Sequence, residues 1–575
     1  MKILFEGMRY DYKKLSSVLP DGFYYEKYGE AITDYVGYFY SCKEDDGEPV
    51  FILPKVFIDR YGNILGLGDG NVQYRDVFDF GGTEYPKYLV RRYDHLLFKL
   101  SIWIFQAIQI YEKRGTVAHL ELPNVYNSKR HKKQSSLMEL YIGIINFYRS
   151  NRHIFTFISK TSHAGKKIKW HKTISSEQPV IVDNTPIYIS PLKVLKRINY
   201  EEELIVLLYS VLNHFKRQFN LKIQFEFNYK IYTGREFQRL LNGQGVRILK
   251  RIKHKYYRDV FLRLWDLLYA FFEFNKEIRL KGSYQESLLC SNFPIVFEDM
   301  VDNLISDEDY DDIKYYKDQK DGKIVDHLYQ YNDLFDDGKI FYVADSKYYR
   351  DGSIIAGIPF EKQFTYAKNI IQDGIDVLLG NGSGASLKKI MNSMRYRDEA
   401  TEGYNITPNF FIRGVIMDKN PGKHIQLSNI QKWSKRVHFE NRLFDRDTLI
   451  LLSFELDFMF ALTMYLSKSK ERIEKFKNDV HSEFRGRFIK TLEQHYDFYI
   501  ISFDNDTKLN DVVREYFKKL NGKIYSPEHK WNGKSCLILA LENGHIENDD
   551  ITRIFYEDLK DQCSVERSFN GPPQF

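Results

Sequence analysis

The chain has 575 residues, of which 43% are hydrophobic and 28% charged, with a formal net charge of +6. That is too long for a single core and too well balanced for a disordered or uniformly basic chain, so several folded domains are expected and any polyanion-binding surface must be local. Cys42, Cys290, Cys536 and Cys563 stand far apart without zinc-ligand spacing or a disulfide framework, and Lys2, Glu6 and Arg9 interrupt any signal-peptide core, so a reducing, cytoplasmic setting is expected.

Residues 1–172 combine short β-like runs at 35–40, 50–57 and 154–158 with a helical pattern over 94–114, and read as an α+β domain. Gly66, Gly68 and Gly70 mark a loop whose spacing is not a dinucleotide fingerprint. The end of this region is basic, with eleven Lys or Arg against one acid, Glu139, between Lys129 and Lys172. Lys129, Arg130, Lys132, Lys133, Lys166, Lys167 and Lys169 are its candidate DNA-phosphate contacts, interleaved with His131, His163, Trp170 and His171.

Residues 173–285 turn helical, most clearly over 201–219 and 249–274, and read as a helical basic domain. A second basic cluster sets eight Lys or Arg against Glu236 between Arg235 and Arg258; Arg247, Lys250, Arg251, Lys253 and Lys255 are its candidate contacts. The solvated face of a bundle helix explains such a cluster as well as a phosphate track does.

Residues 286–420 carry the chemistry. The sequence around Phe293 predicts a helix capped by Ser291 or Asn292, with Pro294 in its first turn and Phe297, Val301 and Leu304 on its apolar face, which leaves Glu298 on the flank. A strand is expected over 324–331, carrying Asp326, and another over 340–347, with Asp337 and Gly338 as the turn between them. Side chains alternate along a strand, so Asp345 and Lys347 share a face with Phe341 and Val343. A helix over 360–372, ending at Gly374, places Gln363, Tyr366 and Ile370 on one side. The acidic run 307–312 reads as an exposed loop. The glycine-rich stretch 380–386 lacks the Gly-Lys-Ser/Thr ending of a nucleotide-binding loop, and 410–417 supplies a further core strand.

Residues 421–575 read as a helical and mixed domain for docking or scaffolding. Helices are expected over 445–466 and 472–494; the apolar run 449–466 contains Glu455 and Asp457, so it reads as a buried or interface helix and not as a membrane span.

A carboxylate that grips a divalent ion beside an ammonium group that steadies negative charge is what phosphodiester hydrolysis needs. Asp-x-Lys also occurs at Asp11/Lys13, Asp312/Lys314, Asp318/Lys320, Asp321/Lys323 and Asp337/Lys339, so the surrounding pattern has to single out Asp345/Lys347. That pattern, made of Glu298, Asp326, Asp345-Ser346-Lys347 and the 361–366 stretch, resembles the PD-(D/E)XK nuclease fold, specifically its McrC-like and LlaJI-like restriction endonuclease branch. The strand motif there commonly reads close to DAKYY, and this chain has Asp345-Ser346-Lys347-Tyr348-Tyr349. The stretches 165–174 and 50–55 also look like segments of such subunits, and the likeness spans about residues 30–460. Ser346 in place of a small apolar residue, and the lack of a proline before Asp326, are departures from the pattern.

The expected fold is therefore α/β, with a restriction-endonuclease-like core, an α+β N-terminal domain and helical additions. The resemblance implies an Mg2+-dependent, or Mn2+-dependent, endonuclease subunit of a restriction or anti-phage defence system acting on double-stranded DNA. Asp326, Asp345 and Glu298 would ligate the metal, Lys347 would steady the attacking water, and Gln363 and Tyr366 would be accessory. It also implies a separate McrB-like AAA+ GTPase or ATPase partner, with a homo-oligomer as a further option and no membrane association. Two other readings stand beside it: a non-catalytic DNA-binding or scaffold subunit, and a stand-alone nuclease acting on single-stranded DNA or RNA.

Overall fold

The computed structural model describes the chain apart from residues 44–45, 66–71, 81, 83–85, 87–88, 90–93, 115–124, 128–135, 220–222, 224, 226–227, 282, 308–316, 318–324, 337, 351–359, 379–395, 418–423, 428–433, 437–439, 468, 570 and 574–575. Mixed α/β units are formed, two in number: one from Met1–Leu53, Arg75–Phe105 and Asn124–Cys290, the other from Pro54–Tyr74, Gln106–Pro123 and Ser291–Phe575. This differs from the four consecutive segments expected, since residues 173–285 fold with the N-terminal region and residues 421–575 with the 286–420 core. The glycine loop 66–70, residues 308–312 of the acidic run, the stretch 380–386 and the candidate contacts Lys129, Arg130, Lys132 and Lys133 lie outside the described residues.

The first unit is built on a five-stranded sheet in which Lys2–Phe5, Asp46–Leu53, Val36–Lys43, Ser283–Cys290 and Val125–Asn127 are successive neighbours. Helix Leu137–Ser150 opens on a reciprocal capping box between Ser136 and Glu139. Its Tyr141 packs on Phe215 of helix Glu203–Gln218 at 4.4 Å and on Phe271 of helix Asp259–Lys281 at 6.0 Å. The single helix expected over 249–274 is broken. Gly245–Ile252 gives way to a tight turn at Lys253–Lys255 before Asp259–Lys281 begins. Lys253, His254 and Lys255 are all exposed and offer the core no apolar side chain, and the returning helix is tied by Trp265 Nε1 donating to the Leu249 carbonyl at 2.7 Å. The region after Thr173 is also less helical than expected, since Val180–Val182, Thr185–Ile187 and Lys193–Ile198 are strands.

The second unit holds the carboxylates. Its elements are helix α1 (Phe293–Ile305), strands β1 (His327–Asn332) and β2 (Lys339–Lys347), helix α2 (Phe360–Leu378), strands β3 (Asn409–Val415), β4 (Ile425–Leu427), β5 (Ser434–Arg436) and β6 (Leu449–Asp457), and helices α3 (Phe458–Tyr465) and α4 (Lys470–His495). The sheet order is β1-β2-β3-β6-β4, with β5 pairing β6. β1 and β2 form the expected antiparallel hairpin, and β2, β3 and β6 run parallel. The strand expected over 324–331 begins later, at His327, so Asp326 sits at the bend just before it. α2 runs through Gly374, where a helix end was expected, at a cost of about 1 kcal/mol relative to alanine.

The largest correction is β6. The run from Leu449 is a strand, not a helix, and only its continuation from Phe458 is helical. Leu449, Ile450, Leu451 and Leu452 are all buried, as happens in a strand covered on both faces, and such a strand shows no period-two alternation to read. Asp457 then caps α3 by accepting from the Met459 amide at 3.1 Å.

Side chains of the hairpin point alternately to two differently lined faces. On the front, Leu328, Phe341 and Val343 pack with Tyr366, Ile370 and Ile371 of α2. On the back, Tyr329 stacks at 3.8 Å on His481 of α4, whose Nε2 is 2.7 Å from the Ile305 carbonyl at the end of α1. Phe297 of α1 stacks on Phe458 at 5.8 Å. Gly414 of β3 lies so close to this helix that a Cβ there would be 2.7 Å from Phe297 Cζ. A second sheet, from Ile524–Tyr525, Ser535–Glu542, Tyr496–Phe503 and Cys563–Ser568, has its own apolar core under helix Asp506–Leu520. No described helix is long and apolar enough to cross a membrane.

Candidate active site

The β1–β2 register pairs His327 with Ala344. Continued by one residue, it sets Asp326 opposite Asp345. Directly opposed residues of an antiparallel pair have Cβ atoms about 5 Å apart, close enough for two short carboxylates to touch. The two side chains do come within hydrogen-bonding reach of each other. The Ser346 amide donates to Asp326 Oδ2 at 3.1 Å and fixes it against the end of β2.

Asp345 is 2% exposed, and its Oδ2 is ion-paired with Lys347 Nζ without accepting a hydrogen bond. Lys347 also lies over the Phe411 ring, 5.4 Å from its centroid. Burial, then the charges of Asp345 and Glu298, drive the Asp326 carboxyl well above the usual carboxylate range. Burial and repulsion from Asp345 push Glu298 up to about 7, against the pull of Lys347 and Lys362. Glu298 is thus within electrostatic range of the pair, carried there by α1.

The three acidic groups expected to share one ion are not all brought together. Asp326 and Asp345 meet, but among the described residues no three His, Cys, Asp or Glu side chains are placed to hold a metal ion jointly. The pair still suits a hard cation. Two contacting carboxylates, one buried and one half-buried, repel unless a proton or cation lies between them, and Asp345 Oδ2 already holds a cationic group in the Lys347 ammonium. All donors are oxygens, which favours magnesium- or manganese-like ions over softer metals.

The expected accessory pair divides. Tyr366 and Lys362 are one helical turn apart on α2, with Lys362 Nζ over the Tyr366 ring, 5.3 Å from its centroid, and both feel the charges of Asp326 and Asp345. Gln363 is turned to other use: its Nε2 donates to Asn409 Oδ1, and Asn409 Nδ2 approaches the Gln363 carbonyl at 3.4 Å, so it joins α2 to β3. Lys362 is a site residue that reading the sequence missed. Its signal was the spacing to Tyr366, hidden because the charge of a lone exposed helical lysine is unremarkable.

Of the candidate phosphate contacts, Lys166, Lys167 and Lys169 are exposed in the first unit. Arg247, Lys250, Arg251, Lys253 and Lys255 are exposed too, but most have partners within the fold. Arg251 and Lys255 pair with Glu203, the latter at 3.2 Å, while Lys253 lies 4.5 Å from the Trp265 ring centroid and Lys250 5.9 Å from that of Tyr269.

Compared with protein-family models, with curated proteins and with solved structures, the chain matches none.

Proposed function

We propose that this protein is a divalent-metal-dependent nuclease, the catalytic subunit of a DNA-cleaving defence complex. The observation that carries the reading is the meeting of Asp326 and Asp345 at the open end of a β-hairpin, with Lys347 on the same face. Asp326 and Asp345 would hold the ion, with Glu298 nearby as a group that tunes or completes its surroundings. Such an ion, when bound, polarises a phosphate oxygen and acidifies water.

The chain's own residues supply the rest. Lys347, fixed by Asp345 and Phe411, places a positive charge where negative charge builds up during phosphodiester cleavage. Lys362 adds a second. Burial and Asp345 push Glu298 up to about 7, so before a cation binds it can hold a proton or give one up near neutrality. Double-stranded DNA is the proposed substrate, approached through exposed lysines such as Lys166, Lys167 and Lys169. A McrB-like AAA+ NTPase is the proposed partner, on the strength of the DAKYY-like motif.

The test is plasmid cleavage with Mg2+, by the lone chain and with an AAA+ protein encoded beside it. Wild type should nick or cut, and Asp345→Ala and Lys347→Ala should not, while all three bind DNA alike. Near-wild-type nicking by both variants removes the assignment.

A further inference from the structure

Behind the carboxylates, on the opposite face of the hairpin, runs a chain of hydrogen bonds, buried at His327 and Ser346 and half-buried at Asp302, that the chemistry above does not use. His327 Nδ1 lies 3.2 Å from Asp302 Oδ1 on α1, and His327 Nε2 lies 2.5 Å from Ser346 Oγ on β2. Asp302 is further held by Lys317 and by the Ser306 hydroxyl. Burial raises the Asp302 carboxyl, but the charge of Lys317 and the hydrogen bond from His327 more than offset this and hold it below the usual range, so it stays an acceptor. An acceptor at Nδ1 fixes the tautomer: Nδ1 carries the proton, and Nε2 receives the hydrogen bond from the Ser346 hydroxyl.

The order Ser-His-Asp is that of a hydrolase triad, yet this one is shut away. His327 is 0% and Ser346 5% exposed, so no substrate reaches the hydroxyl. What sets the arrangement apart is where its members sit. His327 adjoins Asp326; Ser346 lies between Asp345 and Lys347 and donates its amide to Asp326; Asp302 stands one turn beyond Glu298 on α1. One connected chain thus grips each of the three segments that present the charged groups.

We propose that Asp302, His327 and Ser346 are positioning residues that hold Asp326 and Asp345 together for a divalent cation. This rests on the metal-dependent reading of the site. It also gives Ser346 a purpose where the DAKYY pattern has an alanine: the hydroxyl is the third member of the relay. Repelling carboxylates separate unless the backbone on either side is held, and Asp326, outside the regular strand, has few ladder bonds to hold it.

The experiment measures Mn2+ binding to the full chain without DNA, by electron paramagnetic resonance or calorimetry, with the Mg2+ dependence of plasmid cleavage beside it. Ser346→Ala, which removes one buried atom, and His327→Leu should weaken Mn2+ binding roughly 10–100-fold, the usual effect of losing a group that orients metal ligands. The Mg2+ needed for half-maximal cleavage should rise in step, with turnover at saturating Mg2+ much less affected. His327→Gln, whose amide can donate to Asp302 and accept from Ser346, should restore most of the affinity. Melting curves identify any variant whose fold is lost, and Ser346→Ala is the decisive one because it is the smallest change. Wild-type Mn2+ affinity in both Ser346→Ala and His327→Leu overturns the relay while leaving the metal site intact. Mn2+ binding that persists in Asp345→Ala overturns the metal site itself, and the relay with it.

Discussion

Asp326→Asn should make the protein more stable and inactive at once. The change keeps the shape of the side chain and an oxygen to accept from the Ser346 amide, now 3.1 Å away. It also replaces the oxygen facing Asp345 with a donor, so a repulsive contact becomes a hydrogen bond. Two bounds give the size. Like charges about 4 Å apart at an effective dielectric near 20 repel by about 4 kcal/mol, before the offset from Lys347. The wild type can instead escape by taking up a proton, and at pH 7 that costs about 4 kcal/mol for a group whose ordinary value is 3.8.

The amide removes both costs, and after the share already relieved by Lys347 a gain of about 1–3 kcal/mol remains, or several degrees in melting temperature. The sign with pH follows from the raised carboxyl. Its stabilising protonation is complete below the unfolded value and is lost as pH rises towards the folded one, so the advantage of the variant should vanish near pH 4 and grow above it. Scanning calorimetry of the full chain in EDTA at pH 5 and pH 8 measures this. Saturating Mg2+, at about a hundred times its dissociation constant, should add about 2.7 kcal/mol to the wild type and nothing to the variant. A variant less stable than wild type at pH 8 in EDTA, or equally stabilised by Mg2+, would refute the reasoning.

Glu298→Gln should flatten part of the pH dependence of stability. Because Glu298 is raised from 4.5 to about 7, its contribution is full below 4.5 and lost as pH climbs to 7, by up to about 3 kcal/mol, as followed by urea midpoints in EDTA; an unaltered slope counts against it. Gly414→Ala should cost about 1–3 kcal/mol by forcing a Cβ to within 2.7 Å of Phe297, next to Glu298, and should lower cleavage too, whereas wild-type melting would mean that the helix yields freely. Replacing Lys166, Lys167 and Lys169 together by alanine should reduce the salt slope of DNA binding by about one for each phosphate no longer neutralised, while replacing Arg251 and Lys255, already paired with Glu203, should change it little. Fluorescence anisotropy across a salt series separates the two sets, and equal slopes for both would remove the distinction.

What the sequence made legible was local. The hairpin was marked by two β-like runs close in sequence, although the connection spans residues 333–338 and Asp337 of the expected turn lies outside the described residues; α1 was marked by Asn292 and Pro294, and the shared face of Asp345 and Lys347 by strand alternation. What escaped was long-range or lacked a period. β6 is apolar on both faces, and nothing in its run distinguishes a covered strand from a buried helix. The second unit gathers residues 54–74 and 106–123 from far upstream, which no reading of consecutive segments reveals. His327 and Ser346 are 19 residues apart, and Asp302 a further 25 from His327, so their bonds exist only once hairpin and helix have packed. Ser346 looked like a departure from a motif because its partner was invisible.

The charge balance of the site ties these features together. Glu298, Asp326 and Asp345 feel one another's charge and the opposing charges of Lys347 and Lys362, of which Lys362 is itself exposed. The fold answers in two ways: Lys347 is clamped on Asp345, and the upward shifts of Asp326 and Glu298 keep protons on groups that would otherwise be charged. On the proposed reading, a divalent cation would do the work of both and would therefore displace them. Its binding should release protons, strengthen with pH, and free the Lys347 ammonium from Asp345 Oδ2, the oxygen for which the two cations compete. On that reading, Lys347, held as counter-ion to Asp345 until then and freed over Phe411 toward an incoming phosphate, would need to move little to change from a stabiliser of the resting protein into a stabiliser of the transition state.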